Sequence, residues 1–391
     1  MASGTIGQGN GMTTIGYYTP FKPLGFHLPS GDLTIATGLR DFLEGSGHRI
    51  LHPSRLRSRW IFWKPWLWPV VFRDRLRALR MLRDARSGLW LTYHAYYKSP
   101  DVIGPWVCRR LAIPYIIFQG IYSTQRKKHV RTLPGFVLNR QALIHADHVF
   151  SNRKEDLVNL RRLIPDDRLT YIAPGIDPRQ FTFDSRARGE LRGLWNIPEN
   201  TPVVLSAAMF RPGVKTEGLI WTIRACAGLL RQGNPVRLVI AGDGKERKPL
   251  QDLAESLLGG HVRFVGKISR DRMHRFYSAG DIFVFPGIRE TLGMVYLEAQ
   301  SCGLPVVAFH NGGIAEVVQD RTTGFLTPLY DMGSFTQAIT RILEDAPLRR
   351  KMGEAAGTRV RAAHDIRRNY RQVETVIQQV LARYQPRDHG H

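Results

Sequence analysis

The stretch that most constrains the fold runs from Ile282 to Ala308. It opens with apolar residues, turns at a Pro-Gly pair, continues through a glycine-led helical segment and ends in a second apolar run after Pro305. This pattern predicts a buried strand, a loop, a helix and a second strand. The N-terminus of such a helix offers unpaired N–H groups and a partial positive charge. We therefore predict that a phosphate binds at Gly293, Met294 and Val295, next to Leu292.

Two acidic residues flank this predicted phosphate position. Glu290 lies in the loop, and Glu298 lies about a turn and a half into the helix. Because carboxylates and phosphates repel each other, we expect these side chains to bind hydroxyl groups. A diphosphate with sugar hydroxyls at both ends is a nucleotide sugar. The alternative is that the two are solvated surface acids.

The two glutamates stand in a recognisable context, Pro-Gly-x-Arg-Glu-Thr-Leu-Gly followed by Leu-Glu-Ala-x-x-Cys-Gly-Leu-Pro-Val-Val-Ala. This context resembles the donor site of the family 4 retaining glycosyltransferases. The resemblance implies an α/β protein of the GT-B type, with two facing Rossmann-like domains and a C-terminal helix that crosses back to the N-terminal domain. It also implies that Glu290 orients the donor sugar and that Glu298 binds the ribose.

Length and apolar content give the domain organisation. A chain of 391 residues with 43% hydrophobic residues can bury two cores. We expect a disordered tail at 1–13, an acceptor-binding domain at 14–180, a nucleotide-sugar-binding domain at 181–366, and a crossing helix with a tail at 367–391. The three cysteines are far apart and lack metal-ligand spacing, which indicates buried thiols in a reducing compartment: Cys108, Cys226 and Cys302.

Further donor residues follow the strands predicted for the second half. Arg211 and Lys215 lie in a loop where both can reach a diphosphate and stabilise the charge of the leaving group. We therefore assign both, with Glu290, to catalysis, although two solvated loop charges remain the alternative. Gly242 lies in a Gly-Asp-Gly turn that resembles the family's turn. By the same resemblance, Lys267 and Ile268 form one wall of the nucleobase pocket.

In the first half, His94 and Gln119 end two predicted strands, where ligands bind in open parallel sheets. His94 resembles a histidine that is common in the family, whereas Gln119 stands where many members have a histidine. We assign both to catalysis, with a purely structural role as the alternative for His94. The loop that precedes the first helix resembles the acceptor-facing loop of the family. On that basis, Gly31 and His27 are assigned to acceptor binding.

The segment 49–86 is strongly basic and rich in tryptophan. It contains ten arginines and one lysine against two aspartates, and it holds four of the eight tryptophans, in a chain of net charge +23. Together these features favour a basic amphipathic helix on an anionic membrane surface. The alternative is a helical insertion that packs its tryptophans on the core. The apolar run at 60–72 is too short and too interrupted to span a bilayer.

The sequence therefore predicts a cytoplasmic, retaining, metal-independent hexosyltransferase-type enzyme that associates peripherally with the inner face of the cytoplasmic membrane. It would move a sugar to a glycan or lipid-linked acceptor in the synthesis of cell-surface polysaccharide, lipopolysaccharide or glycolipid. The nucleotide sugar is its co-substrate, a UDP-sugar rather than a GDP-sugar, and no cofactor is expected. Two alternatives remain, a nucleotide-sugar epimerase of GT-B architecture and a non-enzymatic polyanion binder. No nucleic acid is expected as a partner, because the basic residues lack an accompanying RNA- or DNA-binding motif.

Overall fold

The structure, a computed structural model, describes residues 12–25, 31–198 and 200–385. The chain divides into two compact units. The first contains Met1–Ile172 and Tyr370–His391, and the second contains Ala173–Asn369. Residues 1–11 of the predicted tail lie outside the described residues.

The described part of the first unit contains a six-stranded parallel sheet with the strand order β2-β1-β3-β4-β5-β6. Its central strands are wholly buried, as expected for a sheet with helices on both faces. The strands are β1 Thr14–Tyr18, β2 Arg49–Leu51, β3 Leu89–Ala95, β4 Tyr115–Gly120, β5 His148–Ser151 and β6 Leu169–Tyr171. The helices are α1 Gly31–Gly45, α2 Trp68–Asp84, α3 Gly104–Leu111, α4 Leu133–His145 and α5 Lys154–Leu160.

The described part of the second unit also contains a six-stranded parallel sheet, with the order β12-β11-β10-β7-β8-β9. The strands are β7 Val203–Ala207, β8 Arg237–Ala241, β9 Val262–Gly266, β10 Ile282–Val284, β11 Val306–Phe309 and β12 Gly324–Thr327. The helices are α6 Ser185–Leu194, α7 Val214–Arg231, α8 Arg247–Leu258, α9 Met273–Ser278, α10 Met294–Ser301, α11 Ile314–Val317, α12 Met332–Glu344 and α13 Ala346–Ala363. The carboxyl ends of β10, β7, β8 and β9 are neighbours in this order, and the candidate site is built on them.

The last helix, α14 Ile366–Arg383, begins in the second unit and continues in the first. At its start, the Asn369 side chain donates a hydrogen bond to the carbonyl of Ala173 (2.8 Å). Further along, the Tyr370 hydroxyl donates to the carbonyl of Ile35 (3.0 Å), and Glu374 lies 3.4 Å from the ring of His48. The helix therefore supplies side chains to the core of the first unit.

The basic, tryptophan-rich segment 49–86 has features of both predicted alternatives, the amphipathic helix on a membrane surface and the insertion that packs on the core. The apolar positions of α2 do not form one stripe, because Leu79 and Leu82 are buried while Phe72 and Leu76 are exposed. Leu82 packs against β1, where a Cβ on Gly16 would lie 3.0 Å from its side chain. The tryptophans also divide: Trp68 packs against the core, and the exposed ones are Trp63 and Trp66. Among the described residues, no helix combines the length and apolar character needed to cross a membrane.

Candidate functional site

The loop between β10 and α10 is held in a single shape by close backbone contacts. Gly293 precedes α10 with φ 66°, in the left-handed region that favours glycine. A Cβ there would lie 2.8 Å from Val317. Gly287 also has positive φ (71°), and a Cβ there would lie 2.2 Å from the Tyr296 hydroxyl. That hydroxyl donates to the carbonyl of Phe285 (2.9 Å), so the loop is tied to the helix that it precedes.

The amine of Lys215, on the first turn of α7, pairs with the Glu290 carboxylate in this loop. The amine also lies 5.2 Å from the ring centroid of Phe285. The other Glu290 oxygen accepts a hydrogen bond from the N–H of Thr291 (3.3 Å). Lys215 and Glu290, which the sequence assigns to the diphosphate and to the sugar of a donor, are therefore in direct contact. Glu290 lies three residues before Gly293, the glycine that precedes α10.

A second loop, 310–313 after β11, supports the Glu290 loop, and sequence reasoning missed this role. The N–H of Gly313 donates to the carbonyl of Glu290 (3.3 Å). The Asn311 side chain donates to the carbonyl of Gly287 (3.3 Å). A Cβ on Gly313 would lie 2.0 Å from the Thr291 carbonyl oxygen, so only glycine allows this approach. The Asn-Gly-Gly sequence at 311–313 is the signal that could have revealed it.

Glu298 is buried in α10, so it is not a solvated surface acid. Its Oε1 lies 3.0 Å from Nη1 of Arg270, and its Oε2 accepts a hydrogen bond from the Tyr277 hydroxyl (3.1 Å). Burial raises the pKa of Glu298, while the Arg270 charge and the Tyr277 hydrogen bond act in the opposite direction. Sequence reasoning missed both partners, because they lie on a turn and a helix far from Glu298 along the chain.

The turns that follow β7, β8 and β9 are packed against one another. Gly242, with φ 143°, donates its N–H to the carbonyl of Gly266 (2.8 Å), and a Cβ on Gly242 would lie 1.9 Å from the Ala208 carbonyl oxygen. Lys267 is exposed and Ile268 is half-buried directly after Gly266. The structure thus brings the predicted nucleobase wall next to the predicted Gly-Asp-Gly turn.

Arg211 lies at the end of the β7 loop, four residues before Lys215. Its side chain is exposed, and its carbonyl accepts a hydrogen bond from the Thr216 hydroxyl (2.7 Å), which fixes the loop against α7. At the start of α10, Leu292 is buried, while Met294 and Val295 are half-buried. Apart from Glu298, which lies within α10, the predicted donor residues of the second half therefore lie at the carboxyl end of the second sheet or at helix starts beside it.

In the first unit, His94 and Gln119 lie on neighbouring strands β3 and β4 and share an unusual backbone. Their φ angles are 61° and 62°, a left-handed conformation that is costly for residues with a Cβ. Both side chains are buried, and within the described residues the Gln119 Oε1 atom has no hydrogen-bond partner. Such strain is common at functional sites. The strained backbone is therefore compatible with the catalytic roles predicted for His94 and Gln119, which stay predictions.

Asp32, on the first turn of α1, is a further polar residue at this edge that sequence reasoning missed. Its Oδ1 lies 3.3 Å from Nδ1 of His94, and its Oδ2 lies 3.8 Å from the amine of Lys22. Burial acts to raise the pKa of Asp32, but the hydrogen bond and charge of His94, together with Lys22, hold that pKa below its ordinary value. Asp32 therefore fixes the ring of His94 at the end of β3.

Of the two predicted acceptor residues, one lies among the residues that the structure describes. Gly31 is the exposed first residue of α1, immediately before Asp32. His27 lies outside the described residues. Among the residues that are described, no group of three or more histidine, cysteine or acidic side chains is arranged to hold a metal ion.

The chain is similar to proteins of known families. The model of the family described as "Glycosyl transferases group 1" matches residues 188–359, which include every predicted donor residue. D-inositol 3-phosphate glycosyltransferase of Salinispora arenicola is 32% identical over 303 residues, covering 71% of this chain and 66% of that protein. The GDP-mannose-dependent alpha-(1-6)-phosphatidylinositol monomannoside mannosyltransferase of Mycobacterium tuberculosis is 32% identical over 200 residues, covering 49% and 51%. The matched stretches thus span about half to two thirds of these relatives.

Solved structures resemble nearly the whole chain. Sucrose-phosphate synthase from Thermosynechococcus elongatus has a TM-score of 0.70 at 22% identity, covering 95% of this chain and all but 1% of its own. HepE of Anabaena, in complex with UDP, has a TM-score of 0.73 at 17% identity, covering 94% and 100%. The two parallel sheets and these neighbours show the GT-B fold, so the predicted fold is confirmed. The chain belongs to the group 1 glycosyltransferases, as the resemblance to family 4 predicted.

Proposed function

We propose that this protein is a retaining, metal-independent glycosyltransferase that moves a sugar from a nucleotide sugar to a glycan or lipid-linked acceptor. The observation that carries the proposal is the contact of Lys215 with Glu290, three residues before the glycine that precedes α10. A cation, a carboxylate and a helix N-terminus are the groups that a sugar diphosphate requires. The second unit holds the donor, and the first unit contributes to the acceptor side.

The donor's diphosphate lies against Arg211, Lys215 and the N–H groups that begin α10. These cations and the helix N-terminus favour the negative charge that grows on the β-phosphate as it leaves. Glu290 accepts hydrogen bonds from hydroxyls of the donor sugar. Glu298 accepts hydrogen bonds from the ribose hydroxyls, and this requires Arg270 or Tyr277 to yield part of its present contact.

The transfer takes place on one face of the sugar. The acceptor hydroxyl oxygen forms a bond to the anomeric carbon on the side from which the phosphate departs, and the bond between that carbon and the phosphate oxygen breaks. The departing phosphate oxygen takes the hydroxyl proton, so atoms and charges balance without a metal ion. The protein's contribution is to position the reactants and to stabilise the leaving group.

The nucleobase lies along Lys267 and Ile268. We take a UDP-sugar as the donor in preference to a GDP-sugar. HepE was solved with UDP, whereas the mannosyltransferase relative is named for GDP-mannose. Binding measured with UDP- and GDP-sugars side by side decides between them, and tighter binding of the GDP-sugars would contradict this choice.

The acceptor side faces an anionic membrane, in our proposal at the cytoplasmic face. Trp63 and Trp66 are 49% and 67% exposed, and Phe72 is exposed on α2.

A second segment extends this surface: the Trp63 ring N–H donates to the carbonyl of Arg131 (3.0 Å). Next to that arginine lie the exposed apolar residues Val130 and Leu133, and basic residues precede it at Arg126, Lys127 and Lys128. Exposed aromatic and apolar side chains among cations favour interfacial binding. Synthesis of cell-surface polysaccharide, lipopolysaccharide or glycolipid supplies acceptors at such a surface.

The donor proposal is tested by saturation-transfer NMR with a panel of UDP-, GDP- and ADP-sugars. We expect selective binding of one donor, weakened in Glu290→Ala and Glu298→Ala but not in Glu255→Ala, which removes an exposed acid from α8. Binding of no donor would contradict the proposal. Incubation of the donor without acceptor separates the epimerase alternative, because only an epimerase would produce a stereoisomer of the donor.

The membrane proposal is tested by flotation with lipid vesicles. We expect binding that needs anionic lipid and that weakens at high salt. The double variant W66S/F72S should float at least about tenfold less. Phe183→Ser, which removes an exposed aromatic from the second unit, should float like the unaltered protein. Equal loss in both variants, or absence of binding at any salt concentration, would contradict the proposal.

A further inference from the structure

The first unit contains a pocket of about 830 Å³ that belongs to no site described so far. It lies between the loop that follows β2, residues 52–57, and the first half of α2. Its walls carry five basic side chains and one acidic one: Arg55, Arg57, Lys64, Arg73, Arg77 and Asp74. No other pocket described for this protein carries such an excess of positive charge.

The single acid does not neutralise this charge. Asp74 is buried, and its Oδ2 accepts a hydrogen bond from the Ser54 hydroxyl (2.6 Å), which ties the 52–57 loop to α2. Its Oδ1 lies 3.2 Å from Arg73. Within the described residues, Arg55, Lys64 and Arg77 form no ion pair with an acidic side chain. Asp74 therefore builds the wall of the pocket, and three cations remain available to a ligand.

Grouped cations without acidic partners repel one another, so the pocket favours an anion that several of them can contact together. Arginine forks match the oxygens of a phosphate, and each such charge-assisted bond is stronger than a neutral hydrogen bond. The volume also exceeds what a bare phosphate ion needs, so it has room for the group that bears the phosphate. The half-buried Leu67 and Val70 give part of the wall an apolar character.

The position of the pocket links it to the predicted acceptor side. A smaller pocket of about 270 Å³ shares His52, Ser54 and Arg55 with it and reaches Tyr17 and Thr19, where β1 ends. Between this region and β3, the carbonyl of Phe21 accepts a hydrogen bond from Arg57 (3.1 Å). The ring of Phe21 lies 5.1 Å from the ring of His94, between centroids. The basic pocket is thus connected, through one loop, to the strained edge of the first sheet.

We propose that this pocket binds a phosphate monoester or diester group carried by the acceptor. The inference rests on the proposed function, because it names the anionic group of the acceptor in that reaction. The phosphate belongs either to a soluble phosphorylated molecule or to a lipid headgroup, and both present the same oxygens to Arg55, Lys64 and Arg77.

Two binding experiments on the full chain distinguish these sources. In the first, calorimetry measures the binding of glycerol 3-phosphate, with UDP present to occupy the predicted donor site. In the second, sedimentation measures binding to phosphatidylcholine vesicles with and without phosphatidylglycerol. Each is carried out on the unaltered protein, on R55Q/R77Q, which removes two cations from the pocket, and on R80Q/R83Q. The last variant removes the same charge from exposed positions further along α2 that do not line the pocket.

We expect R55Q/R77Q to weaken binding at least about tenfold in one or both experiments, and R80Q/R83Q to change it by less than about threefold. If R55Q/R77Q loses binding of glycerol 3-phosphate, the ligand is a soluble phosphorylated molecule. If it loses binding only of the vesicles, the ligand is a lipid headgroup. Equal losses in the two variants, or no phosphate binding in either experiment, would overturn the proposal. UDP binding is measured on the same samples, so that a failure of the donor site is recognised separately from a failure of this pocket.

Discussion

Lys215 and Glu290 form an ion pair, although one is expected to contact the diphosphate of a donor and the other its sugar. In the structure, each side chain is therefore the partner of the other. In the proposed reaction, we expect a diphosphate to compete for the Lys215 amine and to leave the Glu290 carboxylate available to a sugar hydroxyl. Diphosphate binding and orientation of the sugar would then be coupled through this one contact.

Replacement of Lys215 by Gln removes a charge that the proposed reaction needs most as the phosphate leaves. We expect kcat/KM to fall by about 10²–10³-fold, with kcat affected more than donor affinity. Steady-state kinetics with the donor found in the NMR panel measures this. Lys248→Gln, which removes an exposed lysine paired with Asp252, serves as the control and should leave both constants unchanged. A normal kcat in Lys215→Gln would exclude this role.

Arg270→Gln should change the pH dependence of nucleotide binding. Arg270 opposes the effect of burial on the pKa of Glu298, so its removal raises that pKa further. The carboxylate of the variant then takes up a proton at a higher pH than in the unaltered protein. As the pH is lowered, the affinity of the variant for UDP should therefore begin to fall earlier, at a higher pH. Titration of UDP between pH 5 and pH 8 measures this. Arg272→Gln removes an exposed arginine from the same turn and should keep the original profile, whereas an unchanged profile in Arg270→Gln would contradict the assignment.

Gly313→Ala should impair the Glu290 loop. The added Cβ would lie 2.0 Å from the Thr291 carbonyl oxygen, so the two loops must separate. We expect a loss of about 1–3 kcal/mol in the free energy of unfolding and a larger loss in donor affinity. Gly228→Ala on α7 is the matched control, because its Cβ meets only ordinary contact at 3.7 Å. That variant should be more stable by about 0.5–1 kcal/mol. Similar donor affinities in the two variants would show that the support by Gly313 is dispensable.

His148 should make the first unit sensitive to acid. Burial, together with the charge of Arg168, lowers the pKa of His148 to about 4, and its ring contacts the Thr170 hydroxyl at 2.9 Å. The unfolded chain takes up this proton near pH 6.5 and the folded chain only near pH 4, so stability falls as the pH drops through that interval. By linkage the loss is about 3 kcal/mol.

Urea unfolding at pH 7, 5.5 and 4.5 measures this loss. His148→Gln keeps a hydrogen-bonding side chain but takes up no proton, so its stability should fall less between pH 7 and pH 4.5. Replacement of the exposed His129 by Gln should leave the pH dependence as it is. Parallel curves for the unaltered protein and His148→Gln would contradict the prediction.

The fold was predictable because its main signals are local. The run from Ile282 to Phe285, the glycine before Met294 and the Pro305 turn each determine the structure of their immediate neighbours. The eight-position spacing of Glu290 and Glu298 is also a property of one short stretch. Such features can be interpreted without knowledge of which strands pair.

What could not be predicted depends on contacts between distant segments. Arg270 and Tyr277 reach Glu298 only because α9 and the turn before it pack beside α10. The division of α2 into buried Leu79 and exposed Phe72 depends on where β1 lies, which helical periodicity does not reveal. The left-handed backbone of His94 likewise has no local signal, because nothing in the residue type requires it. The limits and roles of the predicted domains stay predictions, as do the roles of the site residues, of which the variants above test Lys215, Glu290 and Glu298.

The helix α14 has a consequence for the order in which the chain folds during synthesis. The second unit is continuous in sequence and is complete once Asn369 has left the ribosome. The first unit is interrupted: its sheet is made early, but Tyr370 and Glu374, which bond to Ile35 and His48, are made last. The half of the protein that is translated first is therefore the half that is finished last, and until then its α1 surface is available to chaperones.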